Sequence, residues 1–218
     1  MKLSISEEVK TIWPQAALGV LHYHAEVAAS SSALLEAFES AIANLADTCK
    51  LETIAQLPHI ASTRQAYKAL GKSPHEYRNA AEAMLRRIAK GNGLYHINNI
   101  VEINNLISVS SGYSIGSYDV GQLQGDVTLI RAADGSHYDG IGKSSVNIEH
   151  LPTLCDSLGT FGNPTSDSQR AMIKPGPREI ISVLYSFDGP DGLSPWLEQF
   201  AELLRQYCSA SDLETWVV

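Results

Sequence analysis

The sequence predicts an α+β fold, in which helices concentrated in the first half pack on a largely antiparallel β-sheet or sandwich core. Up to Gly112, long segments place apolar residues three and four positions apart, which is the spacing of one helix face. After Gly112 the apolar runs are short, partly alternating and separated by Gly, Asp and Pro, as is typical of strands. Because the helices precede the strands instead of alternating with them, the pattern favours α+β over a doubly wound sheet.

The first half contains one predicted strand and five predicted helices. A short helix near Ser6–Ile12 precedes an apolar strand at residues 16–27, "AALGVLHYHAEV". Four further helices follow at residues 31–50, 62–71, 74–90 and 98–112. Serine caps the start of the helix at 31–50, and Ser73-Pro74 supplies a cap and a first turn for the helix at 74–90. Gly71 and the Gly-Asn-Gly at 91–93 stop two of the helices.

Five short strands are predicted in the second half, followed by one helix. The strands are "YSIGSYDV", "GDVTLIRAA", "SHYDGIG", "TLCDSLG" and "EIISVLYSF". The helix covers residues 194–208, with Ser194 as its cap and Pro195 in its first turn. No repeat, low-complexity tract or long linker interrupts the chain, so a single domain spanning residues 1–218 is expected.

Composition excludes several classes of protein. No apolar run approaches the ~18 residues needed to span a membrane. The N-terminus turns acidic at once and lacks the apolar core of a signal peptide, which predicts a cytoplasmic protein. Cys49, Cys155 and Cys208 are odd in number, far apart and without metal-ligand spacing, so reduced thiols are expected.

The chain is acidic, with a formal net charge of −8, but residues 64–90 form a basic segment. This segment holds seven of the sixteen lysines and arginines and only two acids, Glu76 and Glu82. The cations are Arg64, Lys68, Lys72, Arg78, Arg86, Arg87 and Lys90. Because local potential and not net charge attracts a polyanion, two interpretations stay open: a nucleic-acid contact, or two solvated helix faces.

Two patterns that look like a catalytic or a metal site are interpreted as accidental. "GYSIG", residues 112–116, matches the nucleophile elbow G-x-S-x-G. An elbow requires a strand before the serine and a helix after it, whereas Ser114 follows a helical segment and precedes a glycine-rich one. His22 and His24 would share one face of a strand, but no third ligand of suitable spacing accompanies them. No metal or cofactor is therefore expected.

The last helix of the first half carries a polar stripe. Asn98, Glu102 and Asn105 follow one another at spacings of four and three, so we expect them to share a face. The opposite, apolar face consists of Ile100, Ile103, Leu106 and Ile107. Two interpretations remain open: the stripe is solvated, or its amides and carboxylate point into a wet cavity beside the strands.

An ordered series of short motifs runs from this polar helix into the predicted strands. The series consists of Glu102, Asn104-Asn105, Gly112, Asp119, Gly125, "LIRAADG" and "DGIG". It resembles, in order and spacing, the tRNA-binding and editing module, of the B3/B4 type, in the beta subunit of bacterial phenylalanyl-tRNA synthetase. The preceding residues 66–105 are similar to freestanding versions of that module. The resemblance covers residues 60–190 and implies the same fold.

The resemblance also implies a function. The synthetase module hydrolyses a mischarged tyrosyl ester on tRNA. Such esters arise because a purely apolar synthetic site discriminates poorly against tyrosine. Water attacks the ester, and positioned donors hold the oxyanion that forms. By this resemblance we expect a tRNA-binding protein that acts as a trans-editing hydrolase and deacylates mischarged aminoacyl-tRNA.

Three groups of candidate residues follow when the resemblance and the charge pattern are combined. Glu102 and Asp167 are the candidate catalytic residues, which would orient a water molecule. The candidate substrate-binding residues are Asn98, Asn105, Ser108, Asp119 and Ser168. Arg64, Lys68, Arg78, Arg86, Arg87 and Lys90 are expected to contact RNA phosphates, which position a ligand without reading its sequence.

Two departures from the family pattern bear on activity. The pocket histidine of the family motif H-A-F-D is missing, because residues 116–119 read "GSYD". The glycine-rich turn that carries a pocket glutamate in the family corresponds only loosely to "GTFGNPTSDSQR", so tyrosine specificity is not transferred. Two alternatives therefore remain: a noncatalytic RNA-binding module, and a small-molecule binding protein on the same scaffold.

Overall fold

Two four-stranded β-sheets pack face to face, and helices cover the outer face of one of them. The computed structural model describes residues 1–218. The strands are β1 (Leu3–Ile5), β2 (Ala17–Val27), β3 (Ser114–Asp119), β4 (Val127–Arg131), β5 (His137–Tyr138), β6 (Val146–Asn147), β7 (Pro152–Asp156), β8 (Gly159–Gly162), β9 (Gly176–Ser186) and β10 (Ser211–Val217). The α-helices are α1 (Glu7–Ile12), α2 (Ser32–Thr48), α3 (Pro58–Leu70), α4 (Ala80–Ile88), α5 (Asn99–Ser111) and α6 (Leu193–Cys208). The predicted α+β class is confirmed. None of the helices combines the length and the apolar character that crossing a membrane requires.

The sheets are largely antiparallel. The central sheet has the strand order β10–β2–β9–β3. Its longest pairing joins β2 to β9, from Ala17 opposite Ser186 to Val27 opposite Gly176. The second sheet has the order β1–β4–β7–β8, and within it β1 and β4 are parallel. β5 and β6 form a separate antiparallel pair. β3 therefore lies at an edge of the central sheet.

Strand β2 shows how one segment fills two cores. Its odd positions, such as Leu21 and Tyr23, pack against α5 and α6. Its even positions Leu18 and Val20 pack between the two sheets. Each fully buried aliphatic side chain of this kind contributes about 1.5–3 kcal/mol. Beyond Val20 the even positions leave the sandwich and become exposed, starting with the partly exposed His22.

Local sequence signals located several helix ends correctly. Ser6 and Ser31 cap α1 and α2, because each side chain accepts a hydrogen bond from a backbone N–H in the first turn. α3 and α5 stop at Gly71 and Gly112, which have φ angles of +97° and +85°. Glycine adopts this left-handed conformation without the steric cost of a Cβ.

Three predicted helix starts were wrong, and four of the ten strands, β1, β6, β8 and β10, were missed. α3 begins at Pro58, four residues before its predicted start. Ser73-Pro74 forms a separate turn, and α4 begins at Ala80, because the side chain of Asn79 caps it there. Ser194 lies inside α6, which begins one residue earlier. β1 is only three residues long, and β10 lacks an alternating apolar pattern, so neither produced a strand signal.

β3 carries a glycine that the packing requires. Tyr118 is buried, and its ring lies over Gly116, two residues earlier on the same strand. A Cβ at Gly116 would lie 1.9 Å from the Tyr118 hydroxyl oxygen, and a Cβ at Gly162 of β8 would lie 2.2 Å from it. The phenol therefore occupies the space of two missing side chains.

Gly116→Ala is expected to lower the free energy of unfolding by about 1–3 kcal/mol, because the added methyl group overpacks the core at Tyr118. Unfolding in urea measures this change. Gly93→Ala is the matched control, since a Cβ at Gly93 meets no atom within 4 Å. Equal stability of the two variants would show that the ring is not constrained at this point.

Candidate functional site

A cavity of about 270 Å³ lies between α4, α5, β3 and the segments that follow β5 and β8. Its apolar lining consists of Ala80, Met84, Ile97, Val101, Ile115, Ile141, Met172 and Ile173. Its polar lining consists of Asn98, Asn104, Asn105, Ser117 and Asp167. The cavity thus has largely apolar walls, several amides, and Asp167 as its one ionisable side chain.

Helix α5 supplies the amides of the cavity. Asn98, Val101 and Asn105 lie three and four positions apart, so they face the cavity together. Asn98 also caps the helix, because its Oδ1 accepts a bond of 2.9 Å from the N–H of Val101. Its Nδ2 and the whole amide of Asn105 remain without protein partners. Asn104, by contrast, exchanges bonds of 2.8 and 3.0 Å with the hydroxyl of Ser117.

Asp167 lies on the turn after β8, and its carboxylate is held at one oxygen. Oδ1 accepts the hydroxyl of Tyr118 at 2.8 Å and the backbone N–H of Asn163 at 3.2 Å. Oδ2 has no protein partner, which leaves it free to meet a molecule in the cavity. Burial raises the pKa of Asp167 to about 7, and the two hydrogen bonds oppose this rise only in part. The carboxyl group therefore titrates near neutral pH.

A pair of buried tyrosines supports this carboxylate. The hydroxyl oxygens of Tyr118 and Tyr185 lie 2.7 Å apart. Burial raises the pKa of both phenols well above the ordinary value, so both remain protonated. Because Tyr118 donates its proton to ionised Asp167, Tyr185 must donate to Tyr118. The two donors act in series and stabilise the ionised carboxylate.

Glu102 lies at helical spacing from Asn98 and Asn105, as expected, but it is not among the residues that line the cavity. Its carboxylate is buried beside α5, where Oε1 accepts the N–H of Ile97 at 2.6 Å and Oε2 accepts the hydroxyl of Ser30. The cavity meets one edge of the polar stripe, and Glu102 lies at the other edge. Glu102 lies in the first turn of α5, where the helix dipole favours a carboxylate.

Three further predicted pocket residues also lie outside the cavity lining. Ser108 is buried within α5. Asp119 accepts the N–H of Gly121 at 3.0 Å, and its carboxylate lies 3.6 Å from Arg178. The side chain of Ser168 caps the 3₁₀ turn at residues 169–171. Of the predicted pocket residues, the structure therefore brings together Asn98, Asn105 and Asp167.

An open basic hollow of about 410 Å³ lies along α4 and the turn before it. It is lined by Glu76, Arg78, Ala83, Arg86, Arg87, Lys90 and Asn92. Four of the six cations predicted to contact RNA converge here. The other two, Arg64 and Lys68, do not line this hollow.

Arg64 is engaged by a buried carboxylate. Glu82 is fully buried, and its carboxylate lies 2.9 Å from Nη1 of Arg64 and 2.9 Å from Nε of Arg86. Nε of Arg78 approaches it at 3.8 Å. A buried carboxylate is costly unless cations compensate it, and these arginines supply that compensation for Glu82. Arg64, with 14% of its side chain exposed, is therefore not free for an RNA phosphate, contrary to the expectation from charge alone.

A third depression connects the basic hollow to the cavity. It has a volume of about 240 Å³ and is lined by Ala83, Met84, Arg87, Leu94, Tyr95, Ile97 and Asn105. It shares Ala83 and Arg87 with the basic hollow, and it shares Met84, Ile97 and Asn105 with the cavity. We call this depression the apolar groove. The hollow, the groove and the cavity thus follow one another along α4.

Sequence reasoning missed Tyr118, Ser117 and Tyr95. The sequence contains one indication of the position of Tyr118: a glycine lies two residues earlier on the same face of the strand, which is typical of a ring lying over the backbone. It contains none for Ser117 and Tyr95, because their positions depend on how β3 and the segment before α5 pack against distant parts of the chain.

One group of side chains has the donor atoms of a metal site. Those of Asp134, Glu149 and His150 lie within 4.8 Å of one another. Nε2 of His150 lies 2.6 Å from Oδ1 of Asp134, so a hydrogen bond already joins two members of this group. None of the three residues lines the cavity, the groove or the basic hollow.

Comparison with known families places this site in context. The sequence model of the B3/4 domain matches residues 62–208, which include α4, α5, β3 and Asp167. The chain belongs to the B3/4 domain family. The resemblance of the sequence to a B3/B4-type module is thereby confirmed. No curated protein matched the chain.

The fold of this B3/4 domain protein is similar to that of a solved synthetase fragment. The crystal structure of an N-terminal fragment of the phenylalanyl-tRNA synthetase beta-subunit from Pyrococcus horikoshii aligns with a TM-score of 0.55 and 10% sequence identity. The alignment covers 97% of this chain and 50% of that chain, so the protein spans half of the fragment. At this identity the likeness concerns the fold.

Glu82→Ala is expected to lower the free energy of unfolding by about 3–5 kcal/mol, because it leaves the guanidinium of Arg64 buried without its partner. Thermal and urea unfolding measure the change. Glu76→Ala, at an exposed position of the same segment, serves as the control and should cost less than about 0.5 kcal/mol. A loss as small for Glu82 as for Glu76 would contradict the structural role of this carboxylate.

Proposed function

We propose that the protein binds the acceptor end of an aminoacylated tRNA and hydrolyses the ester that joins the amino acid to the RNA. The observation that supports this proposal most is the arrangement along α4, where a basic hollow, an apolar groove and a cavity with one ionisable carboxyl follow one another. Phosphates fit the first, and an esterified amino acid fits the last.

Binding of RNA would rest on the cations of the hollow. Only Arg64 and Arg86 lie within 3 Å of the Glu82 carboxylate. The positive charges of the hollow that this carboxylate does not pair closely are those of Arg78, Arg87 and Lys90. Such cations position a polyanion through its phosphates and carry no sequence preference. The family and the fold are consistent with this role.

Hydrolysis would take place in the cavity. Oδ2 of Asp167 accepts a proton from a water molecule while the water oxygen attacks the ester carbonyl carbon. The resulting oxyanion needs donors, and the Nδ2 groups of Asn98 and Asn105 are the amides without protein acceptors. Collapse breaks the carbon–oxygen bond to the ribose, whose oxygen takes the proton back from Asp167 and so restores the carboxylate. The amino acid then leaves as a free carboxylate.

A noncatalytic RNA-binding function is the competing proposal, and one observation favours it. Gly116 stands where the family motif carries a histidine, and Tyr118 fills the space that a side chain there would use. Asp167 is consequently the only ionisable group of the cavity. If Asp167 does not activate water, the same surface binds RNA without hydrolysing it.

Asp167→Asn is expected to reduce deacylation about 10²–10⁴-fold, because the amide cannot accept a proton from water. Affinity for tRNA should stay unchanged, since Asp167 lies outside the basic hollow. In the wild type the rate should rise with pH through about 7 and then level off, because the base must be ionised. Release of the amino acid from a panel of mischarged tRNAs measures the rate.

The control for this test is Asp47→Asn, an exposed carboxylate on α2 whose removal should not change the rate. Deacylation by Asp167→Asn at the wild-type rate would exclude Asp167 as the base. Absence of deacylation by the wild type on every ester, combined with retained tRNA binding, would favour the noncatalytic function.

Arg78→Gln with Lys90→Gln is expected to weaken tRNA binding and to make it less dependent on salt. Each lost phosphate contact should reduce the slope of log affinity against log salt by about 0.7–0.9. Filter binding at several salt concentrations gives the slope. Lys2→Gln removes an exposed charge on the N-terminal residues before β1 and should leave the slope unchanged, so an equal effect of both changes would refute the hollow as the RNA site.

A further inference from the structure

Exposed apolar side chains gather at the apolar groove and the mouth of the cavity. The large hydrophobic residues with the greatest exposure in the chain are Met1, Leu57, Tyr95, Ile97, Ile141, Leu158 and Val217. Three of them, Tyr95, Ile97 and Ile141, line the groove or the cavity. Exposed apolar groups scattered singly need no explanation, but a group of them beside a charged hollow indicates a binding surface.

Tyr95 is arranged as a platform. Its ring lies under the guanidinium of Arg87, with 4.3 Å from the guanidinium carbon to the ring centroid. With 67% of the residue exposed, the remaining surface of the ring is open to a ligand. The cation on one side also orients the ring, since a cation and an aromatic face attract each other.

Arg87 connects this platform to the basic hollow. Its Nε donates to the carbonyl of Gly93 at 2.6 Å, which fixes the guanidinium above Tyr95. Its two terminal nitrogens have no protein acceptor, so they can donate to a phosphate. Arg87 lines both the hollow and the groove, which places an aromatic ring and a phosphate-binding group side by side.

A ligand that fits both groups has a flat aromatic ring and a phosphate that are covalently linked within one molecule. A nucleotide has both, and its base must be unpaired to stack on a side chain. A protein partner with an apolar contact would fit the ring, but it would not use the four cations of the adjoining hollow. In a chain of net charge −8, that local concentration of cations selects a polyanion.

We infer that Tyr95 stacks an unpaired base at the 3′ end of the bound RNA while Arg87 holds the neighbouring phosphate. This inference rests on the proposed function and adds the recognition of a single-stranded end to it. The stacked base would hold the RNA terminus at the entrance of the cavity, so that the attached ester reaches Asp167. Tyr95 is then a binding residue and takes no part in the chemistry.

The test compares two uncharged RNA hairpins, one with an unpaired 3′ end and one that is blunt but otherwise identical. Equilibrium binding to the full-length chain is measured by fluorescence anisotropy at one fixed salt concentration. The wild type should bind the hairpin with the unpaired end on the order of tenfold more tightly. Tyr95→Ala should lose this difference and bind both hairpins alike, whereas Tyr95→Phe should keep it.

Two controls separate stacking from other effects of the change. Leu158→Ala removes an exposed apolar side chain between β7 and β8 and should leave the preference intact. An indirect effect through Arg87 would weaken both hairpins equally and lower the salt slope. Stacking affects only the hairpin with the unpaired end and leaves the slope unchanged.

The outcome is independent of deacylation, because neither hairpin carries an amino acid. A wild type that binds both hairpins equally, or a Tyr95→Ala variant that keeps the preference, overturns the inference while leaving the proposed function in place. A wild type that binds neither hairpin at low salt overturns both. Loss of the preference in Tyr95→Ala supports the inference even if no ester is hydrolysed.

Discussion

The hydroxyl of Tyr118 links the packing of the two sheets to the chemistry of the cavity. Its ring reaches this position because neither Gly116 nor Gly162 has a side chain. From there the hydroxyl donates to Oδ1 of Asp167 and leaves Oδ2 free for a ligand. A histidine at position 116, as in the family motif, would displace the ring and would require another way to hold the carboxylate. The missing histidine and the tyrosine–aspartate pair are therefore two consequences of the same packing.

The burial of Asp167 has opposite effects on stability and on reactivity. A carboxyl group whose pKa is about 7 in the folded chain, against an ordinary value of 3.8, binds its proton more tightly when folded. Its stabilising contribution is therefore fully present below pH 3.8 and is lost as the pH rises to about 7. Bonds from Tyr118 and Asn163 limit this loss, because they favour the ionised form. The same burial brings the carboxyl into the range where it exchanges protons at neutral pH, as a general base must.

Sequence patterns located elements and charges, but they did not reveal the partners of individual side chains. Caps and glycine stops are local, so the bounds of α5 followed from them, and its polar stripe identified Asn98 and Asn105. The stripe could not show that the backbone N–H of Ile97, just before the helix, takes the carboxylate of Glu102. Charge counting likewise grouped Arg64 with the solvent-facing cations, because its pairing with buried Glu82, which lies on a different helix, arises only in the folded chain.

Glu82 also determines how much of the basic segment remains for a polyanion. It draws Arg64 out of the solvent and holds Arg86 at the edge of the hollow, so the remaining positive charge lies on Arg87 of α4 and on Arg78 and Lys90, which flank that helix. In the proposed function, the acidic remainder of the chain would repel RNA and so restrict its approach to the orientation that brings phosphates onto these cations. In that orientation the apolar groove would be the path from the phosphates to Asp167. Electrostatics would then select which part of the RNA reaches the cavity, and the apolar walls with their free amides would select what the RNA end carries into it.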